Sequence, residues 1–198
     1  MNATHLLANL GPLGVTLILV AIAVALPLLW VVVTYNTLVR LRQLCGESWS
    51  GIDTELKRRY DLIPNLVSTV QGYAQHEKDV LQRVVEARTR AVASTGSPAS
   101  QAKDENVLVG ALRQVFALAE NYPDLKANQN FLQLQRELAN TEDRIQAARR
   151  FYNANVRDLN TRIQVFPSNM IAGMFGFQQQ EFFEIDPAVR EVPQVKFP

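Results

Sequence analysis

From Leu13 to Val33 the chain reads LGVTLILVAIAVALPLLWVVV, an apolar run broken only by Gly14, Thr16 and Pro27. As a helix rising 1.5 Å per residue, this run would span roughly 31 Å, enough to cross the hydrocarbon core of a bilayer. Trp30 and Tyr35 fall near one end, where amphipathic rings favour the membrane–water boundary. Pro27 would free one backbone carbonyl and kink the helix, which membrane helices tolerate. A buried core helix would be shorter and interrupted by polar residues. A cleaved signal peptide needs a positive flank and a shorter apolar stretch, yet Met1 to Leu10 holds no Lys or Arg. The expectation is a retained transmembrane helix over 13–34, preceded by a short outside N-terminus, 1–12.

The first charged residue is Arg40. The formal net charge of +1 is therefore an average over two materials, an uncharged anchor and a domain about a quarter charged. Near-neutrality argues against a nucleic-acid partner, whose footprint is a basic excess. A single cysteine, Cys45, excludes a disulfide scaffold and a thiolate zinc site. Arg40 and Arg42 flank the C-terminal side of the apolar run, with Lys57-Arg58-Arg59 further on, and basic flanks stay in the cytoplasm. This predicts a single pass with the N-terminus outside and the remaining domain cytoplasmic, where a lone reduced cysteine is unremarkable.

Beyond the anchor, apolar residues recur at three and four: Leu38, Leu41, Cys45, Trp49, Ile52, Leu56, Tyr60 and Ile63, then Val67, Val70, Ala74, Leu81 and Val84. That is one helix face repeated over many turns. Pro64 leaves two readings. The stripe keeps its phase across it, which favours one kinked helix. Against this, Asp61 is a good N-cap that would put Pro64 in a first turn, and a mid-helix proline costs about 3 kcal/mol. The break is preferred, giving helices over about 36–60 and 62–93. Ser94-Thr95-Gly96-Ser97-Pro98 is a turn. A third helix over about 99–121 carries Leu108, Leu112 and Val115 and stops at Asn121-Tyr122-Pro123-Asp124. The fourth, from about Ala127, carries Phe131, Leu134, Leu138, Ile145, Tyr152, Leu159, Ile163 and Phe166 and ends at Pro167. The predicted fold is all-α: an N-terminal transmembrane helix followed by an antiparallel up-and-down four-helix bundle over 35–166, then an apolar segment and tail over 167–198.

The blocks YNTLVRLR and IDTELKRRYDLIPNLVSTVQGYAQHE, and the long block from NYPDLKANQNF to FGFQQQEFFE, resemble the LemA family over nearly everything from Tyr35 to Glu184. Asp61-Leu62-Ile63-Pro64-Asn65 and Tyr122-Pro123-Asp124-Leu125 carry the resemblance most specifically, with Asp61, Pro64, Asn65, Tyr122, Pro123 and Asp124 as its structural motif residues. The resemblance implies a bacterial, membrane-anchored four-helix bundle in the inner membrane, with no established catalysis. Some relatives are associated with magnetosome membranes, which points toward membrane organisation.

Catalytic and cofactor chemistry find no footing. A di-iron bundle needs two Glu-x-x-His pairs, but His5 precedes the span and Tyr73 stands where the glutamate partner of His76 would be. Cys45 sits on the apolar face and reads as a small hydrophobe. No GxSxG, GxxxxGK[ST] or GxGxxG occurs. The expectation is no catalytic residue, metal, cofactor or small-molecule substrate. Lys57-Arg58-Arg59 and Arg149-Arg150 read as a solvated face paired with Glu55, Glu142 or Asp143.

The C-terminal segment is less ordinary. Met170, Ile171, Met174, Phe175, Phe177, Phe182 and Phe183 crowd together after the bundle should have ended. They could cap the bundle, meet a neighbouring subunit or touch the membrane. In an antiparallel bundle the fourth helix delivers them toward the membrane, whereas a helix continuous through Pro64 would point them away. The leading functional expectation is a non-enzymatic membrane protein that contacts lipid and forms a homo-oligomer or scaffolds partners. The alternative is an accessory adaptor of a membrane protease or transport complex, bound to a membrane-protein partner.

Overall fold

The computed structural model describes residues 12–184, and every regular element among them is a helix. In chain order these are α1 Pro12–Gln71, α2 Lys78–Ala93, α3 Pro98–Ala119, the single turn α4 Pro123–Lys126, α5 Gln129–Gln164 and α6 Ser168–Met174. The expected outside segment 1–12, except Pro12, lies outside the described residues, as do His5 and the tail beyond Glu184.

Two compact units divide the chain. One joins α1 up to Gln43 with Asp158–Gln179, and the other runs from Leu44 to Arg157 and takes in the chain again from Gln180. In the second unit α1 and α5 are antiparallel, since Arg59 pairs with Glu142 while Ser48 meets Asn155. Its core gathers Ile63, Leu66 and Val70 of α1, Leu81 and Val84 of α2, Leu108 and Val115 of α3, and Phe131 and Leu134 of α5. The N-terminal apolar helix thus packs against a bundle of several further helices.

The expected break at Pro64 does not occur. α1 runs through Pro64, and Asp61 is an exposed mid-helix residue rather than an N-cap. Proline removes the N–H that would bond the carbonyl four residues back, that of Tyr60. The Arg88 Nε of α2 donates to that carbonyl at 2.7 Å. The reversal falls instead at Gly72–Glu77, where Tyr73 N bonds Val70 O at 3.0 Å and tightens the last turn of the helix.

That reversal meets the motif around Tyr122. The Tyr122 hydroxyl donates to Glu77 at 3.4 Å, and Leu125 is fully buried. Asn128 caps α5: its Oδ1 accepts from Phe131 N at 3.0 Å while its Nδ2 donates to the Tyr73 hydroxyl at 2.9 Å. Pro123 opens α4 and Asp124 sits in its first turn, both exposed, as are Pro64 and Asn65. Tyr122, Pro123 and Asn128 join and cap helices, whereas Pro64 and Asn65 lie within α1. At the other turn Ser97 precedes Pro98 in the first position of α3, and Ser94 Oγ bonds Asp104 at 2.7 Å.

Candidate functional site

In the first unit, no residue of α1 from Pro12 to Trp30 is buried among the described residues, and the apolar window that could cross a membrane lies in this stretch. Packing begins at Thr34 and Leu38. The partner surface comes from the end of α5 and from α6. Pro167 ends α5, and the Ser168 hydroxyl donates to the carbonyls of Arg162 and Val165 at 2.7 and 2.9 Å, satisfying groups that the helix end leaves open.

α6 closes with a paired cap. Phe177 N bonds Ala172 O at 2.9 Å and Gly176 N bonds Gly173 O at 3.3 Å, with Gly176 at φ 68°. This is the Schellman arrangement, and its left-handed residue favours glycine. The turn carries Phe175 and Phe177 onto Tyr35, with ring centroids at 4.7 and 5.9 Å. Arg42 lies over the Phe177 ring at 5.2 Å, a cation–π contact. Tyr35 is two residues beyond the apolar run, about 3 Å along the helix axis. The expectation that a helix continuous through Pro64 would carry this segment away is therefore corrected. Within this unit the segment packs beside the end of the apolar run.

The structure divides the sequence candidates. Ile171 and Phe177 are buried in the first unit. Met170, Met174 and Phe175 stay 62, 74 and 50% exposed. Phe182 and Phe183 belong to the second unit, where Phe183 is fully buried, edge-on to Trp49 at 5.4 Å. Asn153 pairs with the Phe183 backbone through both its amide groups, at 3.0 and 3.1 Å, and the Tyr152 hydroxyl donates to Glu181 O at 2.8 Å. Burial, then the nearby Cys45 and Glu181 charges, pushes the Tyr152 hydroxyl up to about 12. Val165 and Phe166 were missed as candidates. Phe166, expected in the core stripe, is 74% exposed because α5 ends at Gln164 and Phe166 lies in the turn that follows. Its position beside Pro167 was the available signal.

The basic run also departs from expectation. Lys57 and Arg58 are exposed, Arg58 pairing with Glu55 at 3.4 Å, but Arg59 is buried. Its guanidinium bonds Glu142 at 2.8 Å, the expected partner, and the buried Glu105, which the sequence did not reveal. Tyr60 also donates to Glu105, and burial followed by that carboxylate's charge and hydrogen bond raises the Tyr60 hydroxyl well above its ordinary range. Of the second run, Arg149 is buried and Arg150 exposed. Cys45 is buried and His76 exposed. Among the described residues no group of three or more His, Cys, Asp or Glu could hold a metal ion.

Residues 48–197 match the profile of the LemA family. Magnetosome protein MamQ 2 of Paramagnetospirillum magneticum is 25% identical over 203 residues, covering 90% of this chain and 75% of that protein. Protein LemA of Metamycoplasma hominis is 28% identical over 166 residues, covering 79% of this chain and 74% of its own. The chain is a membrane-associated helical protein with one apolar helix near its N-terminus and no catalytic signature among the described residues.

Proposed function

The chain belongs to the LemA family, and from that premise we propose that it is a non-enzymatic, single-span inner-membrane protein whose helical domain self-associates or scaffolds partners in the membrane. The observation that carries this reading is the abrupt change along α1: nothing among the described residues covers 13–30, while the face from Thr34 onward is packed. A surface of that length and composition is stable against lipid. Arg40 and Arg42 at its C-terminal flank favour a cytoplasmic domain and an outside N-terminus. An antiparallel, up-and-down arrangement of four long helices, α1, α2, α3 and α5, fits the short connections between them. Two relatives named as magnetosome proteins support a role in membrane organisation.

Cross-linking in native membranes, combined with the mass of the nanodisc-extracted particle, tests this reading. A ladder of self-products and a particle of several copies are expected. A reporter at the C-terminus that becomes active only outside the cytoplasm would reverse the orientation.

The adaptor reading has an observation of its own. A groove of about 320 Å³ is lined by Val109, Leu112, Phe116, Leu138 and Ala139, with Arg113 and Asp143 among its charged residues. One heterologous cross-linked product, with no self-products, would favour it.

A further inference from the structure

We infer that the chain touches the bilayer twice: once through the span, and again through an interfacial foot made by Val165, Phe166, Met170, Met174 and Phe175. The inference rests on reading 13–33 as a span, and adds to it a second, non-spanning contact with phospholipid.

Four observations lead to lipid rather than to a cap or another protein. The residues that do cap this unit are different ones: Ser168, Ile171, Ala172 and Phe177 face inward and are buried, while the five foot residues stay at least half exposed. Their depth is fixed within the unit by Phe175, whose ring meets that of Tyr35 at 4.7 Å. Tyr35 lies about 3 Å past the end of the apolar run, at the level where aromatic rings sit at a membrane boundary. No charged residue lies between Arg162 and Glu181, so the foot can enter the acyl boundary without burying an ion. The foot is also continuous, through the Tyr35–Phe175 contact, with the uncovered surface of the span itself.

The chemistry suits shallow insertion. Met170 and Met174 are one helical turn apart on the exposed side of α6, and Phe166 precedes the proline that starts it. Unbranched and aromatic side chains of this kind fill irregular apolar surroundings. Arg42, held over the Phe177 ring, places a cation on the headgroup side of the foot, which favours anionic phospholipid.

The test uses the full chain in nanodiscs of mixed zwitterionic and anionic phospholipid. Single cysteines carrying an environment-sensitive dye are introduced in a Cys45→Ala background at three places: Met174→Cys in the foot, Ile22→Cys in the span and Val107→Cys on the exposed side of α3. The expected result is blue-shifted emission at 174, quenched more by lipids brominated near the headgroup than by lipids brominated near the chain end. Position 22 is quenched by the deep bromines, and position 107 by aqueous iodide alone. Adding Met170→Glu to the protein labelled at 174 should lower the bromolipid quenching and raise iodide access, with helical content unchanged.

If 174 behaves like 107 while 22 remains lipid-quenched, the foot is in water; the inference is overturned and the span reading stands. Blue-shifted emission at 174, shielded from both quenchers, means a protein surface covers the foot and equally overturns it. Loss of lipid quenching at 22 removes the span reading and the foot with it.

Discussion

The Nε of Arg88 donates to the backbone carbonyl of Tyr60 at 2.7 Å, the carbonyl that Pro64 deprives of its helical partner. A proline at this point of α1 would leave a polar group unsatisfied in a half-buried position, and the neighbouring helix supplies the missing donor. This bond explains why a 60-residue helix passes through a proline without breaking. It also ties α2 back onto α1 across the reversal at 72–77.

Arg88→Met should therefore destabilise the folded domain by about 1 kcal/mol, the lower end of the cost of an unsatisfied acceptor, because the Tyr60 carbonyl is half-buried. In a Pro64→Ala background the new N–H can bond Tyr60, so the same change should cost clearly less. A double-mutant cycle by denaturant unfolding of the solubilised chain measures the coupling. Equal costs in the two backgrounds would sink the argument.

The buried pair of Arg59 and Glu105 makes a second prediction. Both side chains are almost wholly out of water, and Arg59 also holds Glu142, which is partly exposed. Glu105→Leu alone leaves a buried guanidinium short of a partner and should cost about 3–5 kcal/mol. Arg59→Met combined with Glu105→Leu should recover part of that loss, because the apolar pair leaves no buried charge and Glu142 can turn to solvent, while the Tyr60 hydroxyl still lacks the acceptor that Glu105 supplied. The midpoint of urea unfolding reports both. A double variant as unstable as the single would mean that the ion pair contributes more than geometry and burial imply.

How far the sequence was legible follows from what periodicity can encode. The stripe Leu38, Cys45, Ile52, Leu56, Ile63 and Val70 has the spacing of a helix, and its members are buried. The turn at 94–97 and the stop before Pro123 are local chemistry, and both are where their residues place them. What failed depended on residues far apart in the chain. Pro64 looked like a break because Arg88, which satisfies Tyr60, lies in another helix. Arg59 looked solvated because Glu105 comes from α3. In the C-terminal segment, composition marked the apolar residues but could not say which were covered. Phe183 became core of its unit through Trp49 and Asn153, contacts made far along the chain, while Met174 stayed exposed in the other unit.

Alkaline titration gives a third prediction. The Tyr152 hydroxyl, pushed up to about 12 by burial first and then by the nearby Cys45 and Glu181 charges, keeps its proton in the folded chain after an unfolded tyrosine, near 10, has lost it. Between these values the native state binds more protons than the unfolded state, so stability falls as pH rises. The contribution is fully present below pH 10 and is lost by about 12, on the order of 2 kcal/mol. Tyr60, raised by its own burial and by Glu105, adds to the same slope. Unfolding free energies at pH 9, 10 and 11 should decline less steeply in Tyr152→Phe than in the native chain. Parallel slopes would count against a perturbed Tyr152.

Gly176 yields the last prediction. Its φ of 68° lies in the left-handed region, and no neighbouring atom lies within 4 Å of where a Cβ would be. The cost of Gly176→Ala is therefore conformational rather than a clash, about 1–2 kcal/mol, with Gly176→Asn costing less because asparagine tolerates this conformation. The strain falls on the turn that carries Phe177 onto Tyr35 and under Arg42, so the loss should be local. Hydrogen exchange of the amides of Gly176 and Phe177 should quicken in the alanine variant, while the amides of Val70 and Leu112, in the core of the other unit, keep their protection. Equal loss of protection at both places would make Gly176 a determinant of global stability, and unchanged exchange at 176–177 would mean that the cap does not hold the turn.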